Sequence, residues 1–124
     1  MEKYIMIIDD SPTIRVSVEM ALKGERVTVK QAENGMDALS KIEEIKNEGS
    51  EIALCISDIN MPVMNGLEFL SEFRKQDKFT PVVMLTTEKE QETILQGKQL
   101  GASGWIVKPF RPEDLLNVVK RFVK

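Results

Sequence analysis

The chain has 124 residues, 42% of them hydrophobic and 30% charged, a size and balance that suit one globular domain and exclude a disordered segment. A formal net charge of -3, a sequence pI near 5.1 and scattered basic residues leave no electrostatic footprint for nucleic acid. With no histidine and a single cysteine, Cys55, the chain has no internal disulfide, no Ser-His-Asp or Cys-His nucleophile pair and almost no zinc ligand set. Any chemistry must run on carboxylate, hydroxyl and ammonium groups.

The first apolar run, YIMII at 4–8, reads as a strand and is too short for a signal-peptide core. It stops at the adjacent pair Asp9 and Asp10. Ser11-Pro12 then supplies an N-cap and a first-turn proline for a helix whose apolar stripe is Ile14, Val18, Ala21 and Leu22, with Gly24 as its stop. VTVKQA at 27–32 is the second strand, followed by a helical stripe of Ala38, Leu39, Ile42 and Ile45 that ends at Gly49. The third strand, IALCIS at 52–57, carries Cys55 as a small core hydrophobe and runs into Asp58. Asn65-Gly66 reads as a turn before a helix with Leu67, Leu70 and Phe73 inward.

PVVMLT at 81–86 forms the fourth strand and delivers Thr86 and Thr87 at its end. The segment 90–100 has a thin apolar stripe of Ile94, Leu95 and Leu100, so its helix should be the least tightly held; Gly101 stops it. GWIV at 104–107 is the fifth strand, with Lys108 directly after it. The last helix presents Leu115, Leu116, Val119 and Phe122. No stretch is long enough to cross a bilayer, which predicts a cytoplasmic protein with no membrane or nucleic-acid partner. The alternation occupies residues 1–124 as one domain and leaves no room for a separate effector.

Five strands alternating with five helices require parallel crossovers and helices on both faces of one sheet. The expected class is α/β, a flavodoxin-like (βα)5 doubly wound sheet in the order 2-1-3-4-5. Ligands in such sheets bind beyond the carboxyl ends of the strands at the point where strand order reverses, and strands one and three flank that point. Asp9, Asp10 and Asp58 then share one small crevice, joined by Thr86 and Lys108. Taken singly, the acidic pair could merely favour a helix N-terminus and the lysine could be a solvated side chain. Four strand ends sending carboxylates, a hydroxyl and an ammonium to one edge form a site. Three clustered carboxylates need a cation or must take up protons, and an all-oxygen donor set points to a hard ion, magnesium in preference to calcium.

The stretches IIDDSP, ISDINMPVMNGLEFL, MLTTE and LGASGWIVKPF together resemble the receiver domain of two-component response regulators, over essentially the whole chain. The stretches around Asp58 and Lys108 are most similar to the small stand-alone chemotaxis regulators of the CheY type. The resemblance implies that Asp58 accepts a phosphoryl group from a histidine kinase. It implies that Mg2+ is held by Asp10 directly, Asp9 through water, Asp58 and the backbone carbonyl of Asn60. Thr86 and Lys108 would assist the transfer, with a cis bond between Lys108 and Pro109. Thr86 and Trp105 would form the switch pair, and Asn60 and Glu88 would tune dephosphorylation. Tryptophan is larger than the tyrosine or phenylalanine usual at the switch, and Thr87 replaces a common alanine.

The expected function is a phosphorylation-activated switch of a two-component system that catalyses its own phosphorylation and dephosphorylation without turning over a separate substrate. Output should leave through residues 90–124, with Lys98, Lys120 and Arg121 as a basic rim, toward a downstream protein such as the flagellar motor switch, and the chain should be a monomer. The alternative is a magnesium-dependent aspartate-nucleophile phosphatase or phosphotransferase of the haloacid-dehalogenase type. That family opens its site with an acidic i, i+2 pair after the first strand, whereas here the aspartates are adjacent.

Overall fold

The structure, a computed structural model, describes residues 2–87 and 91–123. Among these, the strands are β1 (Lys3–Ile8), β2 (Thr28–Ala32), β3 (Glu51–Asp58), β4 (Val82–Thr86) and β5 (Gly104–Val107). The helices are α1 (Pro12–Ala21), α2 (Gly35–Asn47), α3 (Gly66–Gln76), α4 (Gln91–Leu100) and α5 (Pro112–Phe122). All strand pairs are parallel, and the sheet runs β2-β1-β3-β4-β5, the expected order.

The period-two alternation of the strands divides the core into two layers. Met6, Ile8, Cys55 and Met84 face the layer that contains Ala38 and Ile42 of α2 and Phe69, Leu70 and Phe73 of α3. Ile5, Ile7, Leu54, Ile56, Val83 and Leu85 face the other way, against Val18 and Leu22 of α1 and Leu115 and Val119 of α5. A central strand covered on both sides must be apolar throughout, which is why Ile5, Met6, Ile7 and Ile8 are all fully buried. Cys55 is part of this core, and burial pushes its thiol up to about 12.

The helix boundaries follow local chemistry. Ser11 Oγ accepts a hydrogen bond from Ile14 N at 3.3 Å, and Pro12 occupies the first turn of α1. Asn34 caps α2 by accepting from Asp37 N at 2.9 Å. Gly24, Gly49 and Gly101, the three expected stops, all adopt positive φ. Asn65-Gly66 departs from the expected turn: Asn65 is the N-cap of α3, in a reciprocal capping box with Glu68, and Gly66 is already helical. As its thin stripe implies, α4 buries only Gly97 and leaves Leu95 and Leu100 exposed.

Candidate functional site

The carboxyl ends of β1, β3, β4 and β5 lie along one edge of the sheet, and the polar residues that end them meet there. Asp9 continues the ladder beyond β1, its N–H donating to Ala32 O at 3.0 Å, and Arg15 Nη1 of α1 donates to the Asp9 carbonyl at 2.7 Å. Its backbone is therefore held from both sides. The side chain is buried; Oδ1 accepts from Ser11 N at 2.9 Å, while Oδ2 is the one buried side-chain oxygen or nitrogen without a hydrogen-bond partner among the described residues. Asp10 is exposed, so the adjacent aspartates occupy two different environments, as successive positions at a strand end should.

Asp58 ends β3 and is buried. Its Oδ1 accepts from Ile59 N at 2.8 Å and from Lys108 Nζ at 3.0 Å, and its carbonyl accepts from Ser57 Oγ at 2.9 Å. Helix α3 presses directly on this backbone. A Cβ on Gly66 would lie 2.1 Å from Asp58 O and 2.9 Å from Ile59 Cα, so only glycine permits the approach. Gly66 N also donates to Ile59 O at 2.8 Å, pinning the turn that follows the aspartate.

Lys108 arrives from the opposite side. Its N–H donates to Thr86 O at 2.7 Å, tying the exit of β5 to the end of β4, and its bond to Pro109 is cis. Its ammonium stands 3.0 Å from Asp58 Oδ1 and 3.6 Å from Asp9 Oδ2. Burial opposes the charge on Lys108, but the carboxylates of Asp58 and Asp9 outweigh it and raise its pKa. For Asp9, burial is the largest influence and raises its pKa; Asp58 and Asp10 add to this, while the Ser11 N–H and Lys108 oppose it.

Asp9, Asp10 and Asp58 each present a carboxylate oxygen, all within 4.8 Å of one another, and at that separation two unit charges repel by about 3.5 kcal/mol at an effective dielectric of 20. One ammonium does not neutralise three carboxylates. The donor set is hard and partly open to solvent through Asp10, and it includes an orphaned buried oxygen on Asp9, so these residues fit a divalent cation that keeps some of its waters.

Two further expected residues stand on β4 and β5. Thr86 is buried at the end of β4, and its hydroxyl donates to Thr87 O at 3.2 Å. Trp105 is paired with Met84 in the ladder and packs on the layer formed by α2 and α3. Asn60 is exposed just after Ile59, and Glu88 lies outside the described residues. Ser57, Gly66 and Arg15 were not expected at the site. The close-approach role of Gly66 was legible in principle as a glycine shortly after a polar strand end, but the Asn-Gly pair reads more readily as a turn.

The chain belongs to the response regulator receiver domain family, which matches residues 5–120. It is thus a receiver domain of a two-component system, a signalling switch and not a turnover enzyme. The haloacid-dehalogenase alternative finds no support. Among sequence relatives, it is 33% identical over 123 residues to the transcriptional regulatory protein ResD of Bacillus subtilis, covering 99% of this chain and 49% of ResD. It is 35% identical to the sensor histidine kinase CheAY of Helicobacter pylori, covering 97% of this chain and 15% of that protein. The chain thus spans about half the length of one relative and much less of the other. Among solved structures, the Vibrio cholerae chemotaxis protein CheY4 is similar at 41% identity and TM-score 0.87, covering 99% of this chain and 100% of that one. A CheY-like receiver domain protein from Methanospirillum hungatei is similar at 30% identity and TM-score 0.85, covering 98% and 93%. No helix among the described residues is long and apolar enough to cross a membrane.

Proposed function

We propose that residues 1–124 form a receiver domain in which Asp58 is the phosphoacceptor, and that this switch is cytoplasmic and monomeric and acts in chemotaxis. The observation that carries this reading is the Lys108 ammonium 3.0 Å from Asp58 Oδ1, in a crevice whose other walls are Asp9 and Asp10. In the forward step, a carboxylate oxygen of Asp58 attacks the phosphorus of a phosphohistidine on the kinase. The P–N bond breaks, its electron pair returns to the imidazole, and an acyl phosphate remains on Asp58. In the hydrolytic step, water attacks the phosphorus, the bond to Asp58 breaks with its electron pair returning to the carboxylate, and inorganic phosphate is released. The chain thereby catalyses its own phosphorylation and dephosphorylation.

Asp10, Asp58 and the carbonyl of Asn60 would hold Mg2+, with Asp9 acting through water; the orphaned Asp9 Oδ2 needs the donor that such a water supplies. An ion bound there would supply positive charge to offset that on the phosphoryl oxygens. Lys108 exchanges its carboxylate partner for a phosphoryl oxygen, and Thr86 turns its hydroxyl from Thr87 O toward the same group. Trp105 responds to that turn, and Asn60 and Glu88 set the rate of hydrolysis. The signal leaves through residues 90–124, whose rim carries Lys98, Lys120 and Arg121, to a downstream protein. Similarity to the chemotaxis protein CheY4 supports chemotaxis, and the flagellar motor switch is the target proposed on that reading.

Incubation with acetyl phosphate and magnesium, followed by intact-mass measurement, is the test. Wild type should gain one phosphoryl group and Asp58→Asn none; equal labelling of both would remove Asp58 from the role.

A further inference from the structure

Glycine is the poorest helix former after proline, yet Gly97 stands inside α4 and is the residue of that helix that is buried. What covers it is the indole of Trp105. A Cβ at position 97 would lie 2.3 Å from Trp105 Cη2, 3.2 Å from Cζ2 and 3.3 Å from Cζ3, so the six-membered ring sits directly on the helix backbone where a side chain would begin. The ring cannot yield by small adjustments. It is rigid, and its backbone is held in register, with Trp105 opposite Met84 and Ile106 opposite Leu85.

The helix is restrained at its far end as well. Ala102 N donates to Gly97 O at 2.9 Å and Gly101 N to Lys98 O at 3.1 Å, closing the last turn. Arg74 of α3 then donates through Nε and Nη2 to Gly101 O, at 3.1 and 2.9 Å. The notch at Gly97 is one turn from this anchored end. A ring leaving the notch frees the helix from β5, and a helix turning about its anchored end must carry the ring with it.

We propose that Gly97 is the positioning residue for Trp105, a notch that admits this unusually large aromatic and makes the ring and α4 move as one unit. The link to phosphorylation rests on the switch reading given above; the notch itself does not. A glycine present only to loosen α4 would behave in the opposite way on substitution, which makes the two readings separable.

The experiment compares thermal melting of wild type, Gly97→Ala, Trp105→Ala and the double variant, together with tryptophan emission. Trp105 is the single tryptophan, so emission reports from one ring. Gly97→Ala should lower the melting temperature in the wild-type background and raise it in the Trp105→Ala background, where the added methyl meets no ring and only helix propensity remains. Without any phosphoryl mimic, emission of Gly97→Ala should shift to the red and become more open to acrylamide quenching. Stabilisation in both backgrounds, destabilisation in both, or unchanged emission would overturn the notch. The link to Asp58 is then read from beryllofluoride binding in magnesium: reciprocity requires that affinity change by about fivefold or more in Gly97→Ala. Equal affinities would overturn that link, whereas a wild type that binds no beryllofluoride would instead defeat the switch reading and leave the melting comparison intact.

Discussion

Lys108 and Asp9 show how one residue's environment is set by another's charge. The ammonium lies between two buried carboxylates, closer to Asp58 than to Asp9, and the Asp9 oxygen facing it has no hydrogen bond. A second acidic residue, Asp77, shows the opposite case outside the site. Burial would raise its pKa, but hydrogen bonds from the Thr80 hydroxyl and the N–H groups of Thr80 and Phe79 outweigh burial and hold it below the ordinary carboxylate range. A depressed pKa means that the folded state binds fewer protons than the unfolded one. The stability from Asp77 is therefore present above the ordinary carboxylate value and is lost as pH falls through the depressed one. Asp77→Ala should be less stable than wild type by about 1–2 kcal/mol at neutral pH, and the gap should narrow in acid. Urea unfolding at both pH values checks this; a gap that widens in acid would refute it.

At the level of elements, the site depends on how closely α3 can approach β3. Gly66→Ala would place a methyl against backbone, Asp58 O and Ile59 Cα, neither of which can rotate away. It should cost about 2–3 kcal/mol and slow phosphoryl acceptance by tilting Asp58. Denaturation and acetyl phosphate labelling measure the two effects, and a variant as stable as wild type would show that α3 is free to retreat. The same contact explains what was legible beforehand. Strand ends could be read because Asp9, Asp58, Thr86 and Lys108 each follow an apolar run at once, and the open-sheet rule then brings them to one edge. The capping role of Asn65 was hidden because Asn-Gly is equally a turn signal. The notch under Trp105 was hidden for a deeper reason: a glycine advertises no side chain, and its partner lies on another element. Arg15 carried no signal in the sequence, since its bond to Asp9 O exists only once β1 and α1 are docked.

For the whole molecule, a cluster of like charges at one edge is a stability cost that a bound cation removes. Magnesium at a hundred times its dissociation constant should stabilise the fold by about 2.7 kcal/mol. Asp10→Asn should lose most of that gain, and melting with and without the ion is the measurement. An equal gain in the variant would exclude Asp10 as a direct ligand.

The position of β1 has a consequence for how the chain is born. It is the second strand of the sheet, between β2 and β3, yet it is the first to be synthesised. Its register runs from Lys3 opposite Glu51 to Ile8 opposite Ser57, so Ile5 to Ile8, wholly buried in the finished fold, have no β3 beside them until residue 57 has emerged. A nascent chain stalled before that point displays an apolar strand with one open edge, the kind of segment that recruits chaperones or other copies of itself. Ribosome-bound chains of this sequence arrested at residue 50 should therefore be captured by holdase chaperones more strongly than chains extended through residue 124 and released, and replacing Ile7 by Lys in the arrested chain should abolish the difference.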